Sequence, residues 1–331
     1  MDTNVKVLEE RISVIICAYS LERWEKLVCA VHSIERQTLP AHEIIVVIDH
    51  NQTLYERARS FFTTASVIEN KDQRGLSGAR NSGIASVTGN LIAFLDDDAC
   101  AEPDWLRGIA DAMADPKVMG VGGTVEPDWE EDEPAWFPAE FRWVVGCSYT
   151  GMPPEVAPIR NPIGANMCIR REVFLVVGGF RNGIGRIGTL PIGCEETELC
   201  IRARQHWPER TFLYVPRVAV SHYVPQKRTS WRYFFTRCYA EGISKAAISR
   251  FVGAKDSISV ERTYTLQTLP AGVVRNLSEI ILRRRWASFA RASAIVLGLG
   301  TTATGYMIGK CMPLKTVEAH AVPSSTEVVN G

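Results

Sequence analysis

Asn90 to Leu106 reads NLIAFLDDDACAEPDWL. Three consecutive carboxylates, Asp96, Asp97 and Asp98, follow an apolar run. Neighbouring carboxylates raise one another's pKa unless a cation intervenes. A hard divalent ion, Mg²⁺ or Mn²⁺, removes that conflict, because such ions favour oxygen ligands. They usually take one or two carboxylates and complete their shell with phosphate and water. Alternate residues of a strand share a face, which puts Asp96 and Asp98 on one side and Asp97 on the other. The chemistry that fits is a metal–diphosphate site. The bland alternative is an acidic cap facing solvent.

A second carboxylate group lies in GCEETEL, where Glu195, Glu196 and Glu198 open a helix. The helix dipole alone favours negative charge there. His222 sits at the end of a late strand, in AVSHYVP, where the residues alone read as a packed or capping histidine. The other five histidines lack metal-ligand spacing.

The elements that must position these groups are legible from periodicity. RISVIICAY, EIIVVID, SVIEN and NLIAFLDDD are short buried strands, and helical patterns separate them: LERWEKLVCAVHSIERQ, QTLYERARSFF and GLSGARNSGIASV. EPDWLRGIADAMA opens a further helix with Pro103 in the first turn, and VMGVGGTV is another strand. This alternation implies an α/β fold with a parallel sheet covered on both faces. In such sheets ligands bind beyond the carboxyl ends of the strands, where Tyr19, Asp49 and the three aspartates fall. The alternation stops near Glu126, and EPDWEEDEPAWFP reads as a surface loop. Then come a strand and short helix (GANMCIRREVFLVVGGF), a helix (CEETELCIRARQHW), two strands (TFLYVP and VAVSHYV) and a long basic, aromatic helix from Ser230. That helix reads as core, or as a membrane-facing amphipathic segment.

Composition bounds the rest. The chain has 331 residues, with 37 basic and 37 acidic side chains, so charge gives no reason to expect a nucleic-acid partner. The nine cysteines are scattered without CxxC spacing. They read as small buried hydrophobes in a reducing compartment, with no disulfide frame. The opening segment is charged and is not a signal peptide. No charge interrupts the chain between Arg291 and Lys310. That length fits a bilayer span, but the Gly, Ala and Thr content suits a buried hairpin helix or a membrane-surface helix equally well. Arg283 to Arg285, just before it, suit anionic headgroups.

SVIICAY, EIIVVID, RGLSGARNSGI, FLDDDA and CEETELCIRA occur in order and at suitable spacing. Together they resemble glycosyltransferase family 2, inverting enzymes of GT-A fold, over roughly Ile12 to Gly242. The resemblance implies a Rossmann-like, mostly parallel central sheet with flanking helices, plus a helical C-terminal extension. Residues 1–125 would form the nucleotide-sugar half, 126–225 the acceptor and catalytic half, 226–312 the extension, and 313–331 a disordered tail. It implies that Ala18, Tyr19 and Asp49 hold the nucleotide base, an aspartate suiting a uracil imide N–H and hence a UDP donor. Arg74 and Arg80 flank small residues that permit close backbone approach, and either can reach base or diphosphate. Asn81 braces that loop. Asp96 and Asp98 map to the family's DxD element, with Asp98 on Mn²⁺ or Mg²⁺ and Asp97 near ribose or sugar. His222 matches a metal-binding histidine of some relatives, and Asn166, in IGANM, a loop beside the donor sugar. Where the family usually has Glu-Asp, with aspartate as general base, this chain has Glu195-Glu196. Glu196 is expected as the base, with Glu195 the alternative.

The implied reaction is inverting transfer of a sugar from a nucleoside diphosphate to a hydroxyl of a saccharide or lipid-linked acceptor. The implied place is the cytoplasmic face of the cell membrane. Trp136 and Trp143 are candidates to stack on an acceptor sugar, or plain core aromatics. Two other classes compete. A sugar nucleotidyltransferase needs a Gly-rich, Arg-containing loop after the first strand, and CAYSLERWEKL has no glycine. A catalytically silent nucleotide-sugar binder stays open because of the Glu-Glu pair.

Overall fold

The computed structural model describes residues 10–182, 193–251, 262–283 and 286–311. The side chains of the Arg283–Arg285 cluster, the opening segment before residue 10 and the 313–331 tail lie outside the described residues.

The first half alternates as the pattern requires: β1 (Ile12–Ala18), α1 (Trp24–Glu35), β2 (Glu43–Ile48), α2 (Gln52–Phe61), β3 (Ser66–Glu69), α3 (Leu76–Ser86) and β4 (Leu91–Asp96). A three-residue strand, β5 (Ala99–Ala101), follows at once, then α4 (Trp105–Met113) and β6 (Val118–Trp129). The second half brings β7 (Ala157–Ile159), β8 (Asn166–Arg170), α5 (Arg171–Val177), α6 (Glu195–His206) and β9 (Thr211–Val224). Three long helices close the fold: α7 (Trp231–Phe251), α8 (Leu269–Arg283) and α9 (Trp286–Cys311).

Among the described residues nine strands join one sheet in the order β3-β2-β1-β4-β8-β6-β9-β5, with β7 on β9. The β3-β2-β1-β4 part is parallel, whereas β8 runs antiparallel to both β4 and β6. The sheet is therefore mixed. Successive strand residues feed opposite faces. Val14, Ile16, Val46 and Leu95 enter one core, and Ile15, Val47 and Phe94 enter the other. In the second core Phe94 meets Phe174 and Phe180 edge-on.

Several expectations are corrected. β4 ends at Asp96, and Asp97 and Asp98 form a turn, so the pleat does not sort the three aspartates. The acidic stretch is not all loop, because β6 continues through Glu126–Trp129 alongside β9. TFLYVP and VAVSHYV are one strand, β9, whose pairing with β6 shifts register between Gly123 and Val125. Cys29, which is exposed, forms a disulfide with Cys100, joining α1 to β5 across 71 residues with Cα atoms 6.2 Å apart. Helix packing created that neighbourhood, so no sequence spacing announced it.

The long aromatic helix α7 is core: Phe234 is fully buried, and Trp231 stacks on Trp136 at 3.8 Å. α9 lies on it through glycines. A Cβ on Gly242 of α7 would stand 2.1 Å from the Thr302 carbonyl oxygen, and one on Gly305 of α9 2.2 Å from that of Tyr239. Only hydrogen fits at such a backbone approach. The opposite face of α9 is exposed and apolar at helical spacing: Trp286, Phe289, Val296, Leu297, Met307 and Ile308. Val274, Leu277 and Ile281 extend the same character on α8. α9 is long and apolar enough to cross a membrane by length and composition, but its glycine face is committed to α7.

Candidate active site

The β4–β5 turn and the register of β9 build the acidic end of the site. β5 pairs antiparallel with β9, Ala99 opposite His222, and the Tyr223 N–H donates to the Asp98 carbonyl at 2.8 Å. This pairing carries His222 to the turn across more than a hundred residues. Candidate ligand atoms of Asp96, Asp98 and His222 then lie within 4.8 Å of one another. His222 Nε2 is 3.2 Å from Asp98 Oδ1, while its Nδ1 faces the Cys147 thiol at 3.8 Å. Two carboxylates and one imidazole suit a divalent ion such as Mn²⁺. One further sign of an incomplete polar shell is Asp97 Oδ2, which is buried without a hydrogen-bond partner among the described residues.

Cations surround this cluster. Arg23 Nη1 donates to Asp97 at 2.7 Å and lies 3.2 Å from Asp98; Arg228 is 3.6 Å from Asp98. Burial works to raise the Asp98 pKa, but His222, Arg23 and Arg228 overcome it and hold the carboxyl far below the usual carboxylate range. Burial would lower the pKa of His222, yet Asp98 lifts it to about 10. At Asp97 burial wins over Arg23, and the pKa rises to about 7.

From Asp96 a 3.5 Å contact leads to Arg80 and, through it, to the second carboxylate pair. Arg80 of α3 is buried, donates to Glu195 at 2.8 Å and to the Gly164 carbonyl at 3.1 Å, and lies 3.5 Å from Asp96. Glu195 is thus held by a guanidinium. Its neighbour Glu196 has its pKa raised to about 8, by burial first and by Glu195 second, against the pull of Arg80. Glu198 is different: it is fully buried and clamps Arg181 and Arg202, a structural part. Arg80, Asp96, His222, Glu195 and Glu196 all line one cleft of about 1040 Å³.

Other expected residues fall around or away from this cleft. Tyr19 is exposed beyond β1, with Arg23 over its ring, and Ala18 is buried at the strand end. Asp49 is buried and accepts from Asn70 at 2.7 Å and from the Gly75 N–H at 3.0 Å. It therefore fixes the loop that leads into α3. Arg74 is exposed on that loop and is not among the cleft-lining side chains. Asn81 does brace the region, bonding both backbone groups of Phe180. Asn166 is not brought to the cleft. It is fully buried, donates to the carbonyls of Thr124 and Val218, and accepts from the Trp105 indole. Its amide is spent on joining β6, β8 and β9. Trp143 lines the cleft with its N–H given to Tyr264, while Trp136 is covered by Trp231.

Sequence reasoning missed Arg23 and Arg228, which reach the acidic turn from a helical turn before α1 and a turn after β9. Neither carries a motif. It also missed Arg237, Glu241 and Lys245 of α7, which line the cleft; their spacing by four was the available signal.

Residues 13–178 match the family described as Glycosyl transferase family 2. The chain is 32% identical over 308 residues to glucosyl-dolichyl phosphate glucuronosyltransferase of Haloferax volcanii, covering 92% of this chain and 97% of that protein. Among solved structures it resembles a mannosyltransferase of Pyrobaculum calidifontis in complex with GDP-mannose and Mn²⁺. There the TM-score is 0.56 at 18% identity, covering 91% of this chain and 86% of that one. It also resembles GalNAc-T7 with UDP, GalNAc and Mn²⁺, with a TM-score of 0.55 at 16% identity, over 80% of this chain and 58% of that one.

Proposed function

The chain belongs to glycosyltransferase family 2, with the GT-A fold, and from that membership we propose the reaction that this cleft performs. The donor is a nucleoside diphosphate sugar, a UDP-sugar by the placement of Asp49 and Tyr19 at the ends of β2 and β1. The acceptor is a hydroxyl of a saccharide carried on a lipid phosphate, as the name of the Haloferax relative suggests. The observation that carries this reading is the convergence of Asp98 with Asp96 and His222, the latter two lining the cleft together with Glu195, Glu196 and Arg80.

Asp96, Asp98 and His222 would hold Mn²⁺, or Mg²⁺ in its place. Bound there, the ion supplies Lewis-acid neutralisation of the departing diphosphate. Arg80 adds a fixed, buried positive charge at the same end, which needs no reorganisation as the leaving group gains charge. The roles of the two glutamates follow from Arg80. Glu195 spends its charge on the guanidinium, which orients α6. Glu196, beside it and without that partner, takes the proton from the acceptor hydroxyl as the oxygen attacks the anomeric carbon. General-base assistance of this kind is worth about 10²–10⁴-fold in rate. A single displacement inverts the anomeric centre. The exposed apolar faces of α8 and α9 support a seat against a bilayer, where a lipid-linked acceptor resides; the cytoplasmic face is the side on which nucleotide sugars are met.

The test is transfer from a panel of UDP- and GDP-sugars to a glucosyl lipid phosphate, with Mn²⁺ and with a chelator. Transfer that needs the metal and yields the inverted linkage supports the proposal. No transfer and no donor hydrolysis with any donor overturns it.

A further inference from the structure

The cleft continues past Glu196 to a wall built by α7 and α9. Arg237, Glu241 and Lys245 of α7 face it, one helical row at spacing four. Arg237 Nη2 lies 3.9 Å from one Glu241 oxygen, and Lys245 Nζ lies 3.6 Å from the other. Two cationic heads therefore converge on one carboxylate. Each separation is longer than the roughly 2.7–2.9 Å of a tight charge-assisted bond. Two cations against one carboxylate leave the row with a net positive charge on the cleft wall. The Arg237 and Glu241 side chains are only 11% and 15% exposed, and attraction is stronger there than in open water.

Beside this row runs the seam where Gly242 meets Thr302 and Tyr306 of α9. On the α9 side of the seam, Leu299, Ala303, Tyr306 and Met307 line the same cleft. Met307 is also 62% exposed and belongs to the outer apolar stripe. An apolar track thus leads from the charged row to the surface of α9. In order from Glu196, the cleft offers a base, an anion site and an apolar exit. That is the order of parts in a sugar joined through phosphate to a hydrocarbon tail.

We propose that Arg237 and Lys245 bind the phosphate of the lipid-linked acceptor, whose tail leaves the cleft along α9. The proposal rests on the reading that the acceptor is lipid-linked and adds the site that recognises it. The phosphate shares the two cations with Glu241 and is not itself altered in the reaction. A tail that leaves over Met307 passes directly into a bilayer seated on the α8–α9 face.

The test is calorimetric titration of the full chain with three probes: farnesyl phosphate, farnesol and inorganic phosphate. Farnesyl phosphate is expected to bind at least about tenfold more tightly than either other probe, about 1.4 kcal/mol. The double variant Arg237→Gln, Lys245→Gln is expected to weaken farnesyl phosphate roughly 10–100-fold, while farnesol moves less than about twofold. Lys245→Arg, which keeps the charge, retains most of the affinity and guards against a folding defect. The proposal fails if the double variant binds farnesyl phosphate as the wild type does. It also fails if inorganic phosphate binds as tightly, since the tail then plays no part. Sugar transfer is read in a separate assay: its absence overturns the catalytic reading, while these titrations decide the lipid-phosphate site by themselves.

Discussion

Glu195 and Glu196 are chemically identical neighbours, yet replacing each by glutamine is expected to shift stability in opposite directions. Glu196 has its pKa raised from 4.5 to about 8. A carboxyl with a raised folded-state pKa keeps its proton in the native chain after the unfolded chain has lost it. Stability therefore falls as pH rises from about 4.5 to about 8, at up to 1.36 kcal/mol per pH unit. By pH 7 the accumulated loss is at most about 3 kcal/mol. Glu196→Gln removes it, so the metal-free variant melts several degrees above wild type at pH 7 and level with it at pH 4. Glu195 instead pairs with buried Arg80 at 2.8 Å, and Glu195→Gln costs about 1–3 kcal/mol at neutral pH. Differential scanning calorimetry across pH 4–8 reads both. Activity separates them again: Glu196→Gln loses about 10²–10⁴-fold in kcat, and the wild-type rate climbs with pH through about 8 as Glu196 deprotonates. Equal melting of wild type and Glu196→Gln at every pH, or activity within tenfold, would refute the assignment of the base.

Asp98→Ala takes from His222 the carboxylate that lies 3.2 Å from it. It is expected to abolish the rise in Tm that Mn²⁺ gives the wild type and to cost about 3–5 kcal/mol without metal; scanning fluorimetry with and without Mn²⁺ checks both. Asn166→Ala breaks three buried hydrogen bonds, so Tm falls by an amount matching about 2–4 kcal/mol, whereas the Kd for UDP stays within about twofold because the side chain does not line the cleft. Thiol titration of the unfolded, unreduced chain is expected to count seven cysteines. Reduction exposes all nine and costs about 4 kcal/mol for a loop of this length.

Legibility from sequence followed the range of the interactions. β1, β2, β4, α1 and α2 were readable because each buries a local pattern: unbroken β-branched runs for strands covered on both faces, and one apolar stripe for each helix. The aspartate triplet was readable because it interrupts such a run. His222 as a partner of Asp98 came only through resemblance, since its position depends on the β5–β9 register. Arg23, Arg228 and the Cys29–Cys100 bridge were invisible for the same reason: packing sets them, and no periodicity encodes packing between distant elements. Asn166 misled because a motif beside a cleft need not point into it; its amide settles the account of three backbone and indole groups. The acidic stretch misled because Glu126–Trp129 extends a strand whose partner, β9, arrives almost a hundred residues later.

That late arrival has a consequence for how the protein comes into being. On a ribosome the β1–β4 region can condense early, since β1 to β4 pair with one another within the first hundred residues. The acidic turn is then present without His222, which emerges 124 residues after Asp98. Only when β9 docks beside β5 do imidazole and carboxylates meet. A nascent chain arrested before Ser221 should therefore offer an ion two carboxylates without the imidazole, so that full cation affinity marks completion of the sheet.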